Sequence, residues 1–200
     1  KIASLMSEVE KRLGSKAKAD RKANPRDPVE TVPTGNYRSG PMGLGDVLQG
    51  DWTANHDILL PQDPRLFTEP ALQAIAKGKF DRGLARRMPQ VIDRDARVLE
   101  IGAGAGFLGA HLATVRPDLT ITLQEDHPGL RAAMVLILQA NSRSFHSRLI
   151  LTEAGLTDDP ATALSRLLAE IRPDALCLAD PRLSPAVLRQ AMRVKPRQVF

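Results

Sequence analysis

Residues 98–108, Val-Leu-Glu-Ile-Gly-Ala-Gly-Ala-Gly-Phe-Leu, constrain this chain more than any other stretch. An apolar run suited to a buried strand reaches Glu100 and Ile101, and glycines then occupy the alternate positions 102, 104 and 106 ahead of a helical segment. Glycine accepts φ > 0 and has no Cβ. Such a loop turns sharply and brings backbone close to a ligand, while the next helix aims its N-terminus at the same place. Strand, glycine loop and helix open a βαβ unit, so the expected fold is α/β with a parallel sheet.

The spacing discriminates between ligands. A dinucleotide fingerprint reads G-x-G-x-x-G and seats a pyrophosphate at the helix N-terminus. Here the third glycine comes one residue early, and Glu100 would repel a pyrophosphate. Glu100-Ile101-Gly102-Ala103-Gly104-Ala105-Gly106 instead resembles the acid-x-G-x-G-x-G pattern of Rossmann-like, class I S-adenosylmethionine-dependent methyltransferases. A next strand is expected at Leu119–Leu123 after the helical stretch 108–116, and it runs into Gln124-Glu125-Asp126. An acid about 20 residues beyond the glycine loop is placed to grip a ribose diol. Glu125 is the first choice and Asp126 the second; the bland alternative is a solvated turn before Pro128.

From about Lys77 to Leu156 the chain is similar to the FkbM-type methyltransferase family. The resemblance rests on Gly78-Lys79-Phe80-Asp81, the glycine loop through Phe107, the acid followed by Pro128, a helix from Arg131 closing on Asn141, and a strand Arg148–Thr152 followed by Glu153-Ala154-Gly155-Leu156. It implies S-adenosylmethionine as cofactor and methyl transfer to a hydroxyl, most simply of a small-molecule or saccharide-like acceptor. The cofactor residues it implies are Glu100, reaching the methionine part through water or its amino group, then Gly102, Ala103, Gly104 and Gly106 by close backbone approach. Glu125 or Asp126 would hold the ribose, and Glu153 would lie near the adenine amino group.

The fourth strand, Ala175–Ala179, departs from the family pattern. It ends in Asp180-Pro181-Arg182-Leu183, where the family carries an acid-x-acid-Gly-x-acid element. Asp180 still stands at the carboxyl end of a strand, where open α/β sheets place their chemistry, and is the catalytic candidate that could accept an acceptor's proton. Its structural alternative is a cap for the helix expected from Ser184-Pro185. An Asp-Pro at this point is also a feature of amino-methylating enzymes, but Arg182 and Leu183 replace the second proline and the base-stacking aromatic.

Charge divides the chain. Within residues 11–26, Lys11, Arg12, Lys16, Lys18, Arg21, Lys22 and Arg26 oppose Asp20 alone, and Gly- and Pro-rich turns follow to about residue 50. The net charge is +5 and the pI about 9.7. Residues 1–50 are therefore expected to form a basic arm that buries little, apart from a short helix at 2–13. Such an arm suits a protein partner or a second copy of the chain. Binding a nucleic acid through counterion release is a lesser expectation, since aromatics make up only 4% of the residues and stacking platforms are few.

Residues 51–90 are expected to cover the site with helices starting at Glu69-Pro70 and at Phe80, with Trp52 pinning the arm or closing over the site. Residues 91–200 form the Rossmann-like core, ending in the opening of a fifth strand at Arg197–Phe200. The usual sheet has two further strands, so the expectation is either a piece of a longer chain or a short version whose open edge a partner covers. Apolar runs are far below the roughly 20 residues of a membrane span, no secretory leader stands in the sequence, and a cytoplasmic location follows as the default. Cys177, the single cysteine, is expected in a buried strand. His56, His111, His127 and His146 lack metal-ligand spacing, and no metal is expected.

Two other function classes stay open. One is a methyltransferase-fold subunit that no longer catalyses, which predicts Glu125 exposed or the space above Gly104 filled by side chains. The other is an RNA or DNA methyltransferase, which predicts the arm's basic residues lining the approach to Asp180.

Overall fold

The structure is a computed structural model and describes residues 35–38, 48–152, 154–156, 159–180, 182–191 and 196–200. The expected helix at 2–13, the arm's basic residues and Glu153 lie outside the described residues.

Its centre is a parallel five-stranded sheet in the order β5-β4-β3-β6-β7. The strands are β3 (Arg97–Ile101), β4 (Thr120–Gln124), β5 (Arg148–Leu151), β6 (Ala175–Leu178) and β7 (Gln198–Val199), with an antiparallel hairpin, β1 (Trp52–Asn55) and β2 (Ile58–Pro61), ahead of them. Helices α1 (Glu69–Ala76) and α2 (Arg82–Val91) follow the hairpin. Helices α3 (Phe107–Val115), α4 (Pro128–Asn141), α5 (Pro160–Ile171) and α6 (Pro185–Ala191) fill the crossovers. This is the Rossmann-like, three-layer α/β/α arrangement expected from the glycine loop. The strand order reverses between β3 and β6, which makes their carboxyl ends a crevice.

Side-chain alternation along the strands builds two cores. Val98, Ile121, Leu123, Ala175 and Cys177 pack toward the hairpin and α2 to α4, whereas Leu99, Ile101 and Leu176 pack toward α5 and α6. By the same period of two, Glu100 points to the first face, into apolar surroundings. Helix starts follow local chemistry. Asp159 accepts from Thr162 N–H ahead of Pro160, and the His127 ring accepts from Leu130 N–H ahead of Pro128. Gly109 lets α3 lie against β4, because a Cβ there would stand 2.4 Å from Leu123 Cδ2.

The cover is tied down by polar groups as well as rings. Asn141 accepts from Leu59 N–H and donates to Leu59 O, copying a strand ladder between α4 and β2. Buried Asn55 accepts from Phe80 N–H and donates to Ile75 O. Phe67, Phe80 and Phe107 form an edge-to-face chain with centroids 5.5 and 5.2 Å apart, running from the cover to the helix after the glycine loop. Removing one such ring typically costs about 3–5 kcal/mol.

Several expectations are corrected. Segment 51–61 is a hairpin whose turn residues His56 and Asp57 take φ of 48° and 67°, and Trp52 is 38% exposed on it and does not line the cavity beside the glycine loop. The arm does bury side chains: Tyr37 is 6% exposed and Leu48 8%. Tyr37 pairs with Phe67 in an isolated bridge. The second cover helix begins at Arg82 rather than Phe80, with Asp81 as its left-handed N-cap, and continues past Pro89 to Val91. Among the described residues no helix is long and apolar enough to cross a membrane, and no cluster of three metal-ligating side chains occurs.

Candidate functional site

The site sits where β3 and β6 diverge. Gly102, Gly104 and Gly106 have φ of 73°, 59° and 75°, so the loop uses the left-handed conformation at all three alternate positions. It is closely hemmed in, since a Cβ at Gly102 would lie 2.7 Å from the backbone nitrogen of Asp180. β3 thereby presents Glu100, the glycines and the start of α3 to one crevice.

Glu100 is buried, and its Oε2 has no hydrogen-bond partner. Burial pushes its carboxyl up to about 8, Asp81 and Glu125 add to the rise, and the nearby Gly109 N–H opposes it only in part. Glu100 lines a cavity of about 100 Å³ together with Asn36, Tyr37, Asp81, Cys177 and Phe200. Asn36 donates to Asp81 Oδ1 across its rim at 3.1 Å. Leu84, Met88 and Phe107 make the wall apolar. A pocket with a buried acid, one of whose oxygens lacks a partner, and a second carboxylate suits a compact cationic group attached to an apolar stem.

Glu125 directly follows β4 and is 8% exposed. Its Oε2 accepts from Gly104 N–H and its Oε1 from His127 N–H, each at 2.8 Å. Burial raises its carboxyl, and those two N–H groups work against the rise. A carboxylate has about four acceptor sites. Fixed by one bond to each oxygen, Glu125 keeps a site on both, which matches a vicinal diol.

The opposite flank is closed upon itself. Arg182 donates through Nε to Asp180 Oδ1 at 3.0 Å and through Nη2 to both Asp180 and Asp126, while its Nη1 donates to Leu156 O. Asp126 also accepts from Leu156 N–H through both oxygens, at 3.1 and 3.0 Å. Asp126 thus braces the loop after β5. Asp180 is held by Arg182, and it does not cap α6: Ser184 Oγ accepts from Val187 N–H at that helix start.

Two contributors escaped the sequence reading. Arg182 was noted only as a replacement for a family residue, and its reach to three elements follows from the turn after β6. Tyr37 lies over Gly104, where a Cβ would stand 2.3 Å from its Cε2. The observations therefore split between the readings set out above: Glu125 is buried and oriented, yet the space above Gly104 is filled.

No family model matches the chain, and no curated protein does. Among solved structures it is similar to TYW2 of Pyrococcus horikoshii in complex with MeSAdo, at 18% identity over 48% of this chain and 32% of that one, with a TM-score of 0.35. It is also similar to the transferase candidate PH0793 of the same organism, at 16% identity over 69% of this chain and 64% of that one, with a TM-score of 0.36. The chain spans about a third of the first and just under two thirds of the second.

Proposed function

We propose that the chain binds S-adenosylmethionine over its glycine loop and transfers the methyl to an oxygen of a small-molecule or saccharide-like acceptor, as the FkbM-type resemblance implies. The observation that carries this reading is Glu100: a buried carboxyl with an unpartnered oxygen, in a cavity beside the glycine loop. The ammonium of a methionine tail would partner it. A pyrophosphate would find two carboxyl groups and no basic side chain in the cavity lining.

The residues fit the cofactor in two further ways. Glu125 holds both oxygens in place for the ribose hydroxyls, and the three loop glycines supply the left-handed backbone that a close approach to a ligand uses. Glu153 near the adenine amino group remains a reading of the sequence. Bound S-adenosylmethionine supplies an already activated methyl on sulfonium, so the protein's task is alignment and removal of one proton. Asp180 is the candidate for the proton, and to take it Asp180 must first be released at one oxygen by Arg182.

A second reading, a methyltransferase-fold subunit without catalysis, is favoured by Tyr37 over Gly104 and by the occupied state of Asp180. Calorimetric titration with S-adenosylmethionine, S-adenosylhomocysteine and NAD separates the two. Micromolar binding of the first two and none of NAD is expected. Absence of all binding would move the assignment to the non-catalytic subunit.

A further inference from the structure

We propose that Tyr37 is a plug of the cofactor site, its ring taking the place over Gly104 that the nucleoside end of the cofactor needs. This rests on the cofactor reading above and adds a residue that the glycine-loop motif does not contain.

Three observations carry it. The missing Cβ of Gly104 should free space for a ligand, and that space holds Tyr37: its Cε2, Cζ and Oη lie 2.3, 2.5 and 2.7 Å from where a Cβ would be. The diol candidate Glu125 is buried and accepts from the N–H of Gly104, the same residue that the ring overlies. The remaining cavity of about 100 Å³, with Tyr37 in its wall, accommodates a tail but not a tail plus nucleoside; sites for drug-sized ligands run to about 300–1,000 Å³.

The plug is a side chain on a fixed backbone. Thr68 N–H donates to Asn36 O and Arg38 N–H to Leu66 O, each at 3.0 Å, and Thr68 Oγ1 donates to Gly35 O. Ring contacts to Phe67 and Phe80, with centroids 5.5 and 6.5 Å away, hold Tyr37 over the loop. Opening is then a rotation of one ring about its χ angles, with residues 35–38 left in place. A protein whose competent state is populated to a fraction f binds with an apparent Kd of the intrinsic Kd divided by f. Removing the plug removes that factor.

The sequence contains one tyrosine, which makes the test direct. Titration with S-adenosylhomocysteine should show Tyr37→Ala binding at least about fivefold tighter than wild type, the tightening expected if the open state is populated to about a fifth or less. Tyr37→Phe keeps the ring and should stay within about threefold. Should the alanine variant fail to fold, wild-type protein labelled with 3-fluorotyrosine answers instead. Its single fluorine resonance should move and become accessible to a soluble relaxation agent when S-adenosylhomocysteine saturates the site. Unchanged or weaker binding by a folded Tyr37→Ala, or a resonance that stays put while ligand binds, overturns the plug and leaves the cofactor reading standing. No binding by wild type or variant overturns both.

Discussion

The two flanks of the glycine loop are built on opposite principles. Toward β6 and β7 lies a small cavity holding an acid with a bare oxygen; toward β5, Asp126, Asp180, Arg182 and the Leu156 backbone are engaged with one another. A buried carboxyl with an unpartnered oxygen destabilises a fold, whereas a mutually bonded ion-pair group centred on a 40% exposed arginine changes stability little. The costly flank is the one where the proposed cofactor would supply the missing partner. The inexpensive flank is a brace.

The largest effect is expected from Glu100→Gln. The folded carboxyl titrates near 8 against an ordinary value of 4.5, so the folded state retains a proton that the unfolded chain gives up. The stability tied to that proton is full below about pH 4.5 and is lost as pH rises through 8. At about 1.4 kcal/mol per unit, the glutamine variant should outlast wild type by a few kcal/mol at pH 9 and match it near pH 4.5. Denaturant melts at the two pH values measure this, and an equal gain at both would erase the contrast between the flanks.

Next is Glu125→Ala, for which S-adenosylhomocysteine affinity should drop tenfold or more, about 1.4 kcal/mol. Unchanged affinity would make Glu125 a strut of the glycine loop and nothing else. A third measurement sharpens the role of Glu100 in binding. A cation set beside a carboxyl that titrates near 8 drives its proton off, so at pH 7 the binding heat should depend on the ionisation enthalpy of the buffer, and Glu100→Gln should lose that dependence. The smallest effect belongs to Arg182→Ala. Its side chain is 40% exposed, and about 1 kcal/mol or less of stability should go with it. A loss above about 3 kcal/mol would show that this flank, too, is a buried network.

The sheet and half of the site were legible because their signals are local. Val98 to Gly106 states strand, turn and cofactor loop within a few residues, and Glu125 follows at the distance one crossover requires. The features missed depend on contacts across the chain. Tyr37 reaches Gly104 from a segment rich in turn formers, where nothing in the pattern marks a buried ring. The β1–β2 turn hides its type because His56-Asp57 adopt left-handed backbone without the usual Asn-Gly pair. Helix α5 was readable in retrospect from Asp159-Pro160 and the spacing of Leu164, Leu167 and Leu168. Arg182 was visible as a residue, but its three partners were not, because they come from three separate strand ends.

The ladder between Leu59 and Asn141 has a consequence for how the molecule is made. The two residues are 82 positions apart. A chain emerging from a ribosome therefore exposes β2 well before α4 exists to receive it, and the hairpin waits with a bare edge until the second crossover closes. Contacts of such long sequence separation come late in folding and slow it. The hairpin is thus a part of the protein that is completed late relative to its own synthesis, and until then it is in need of shelter from other chains.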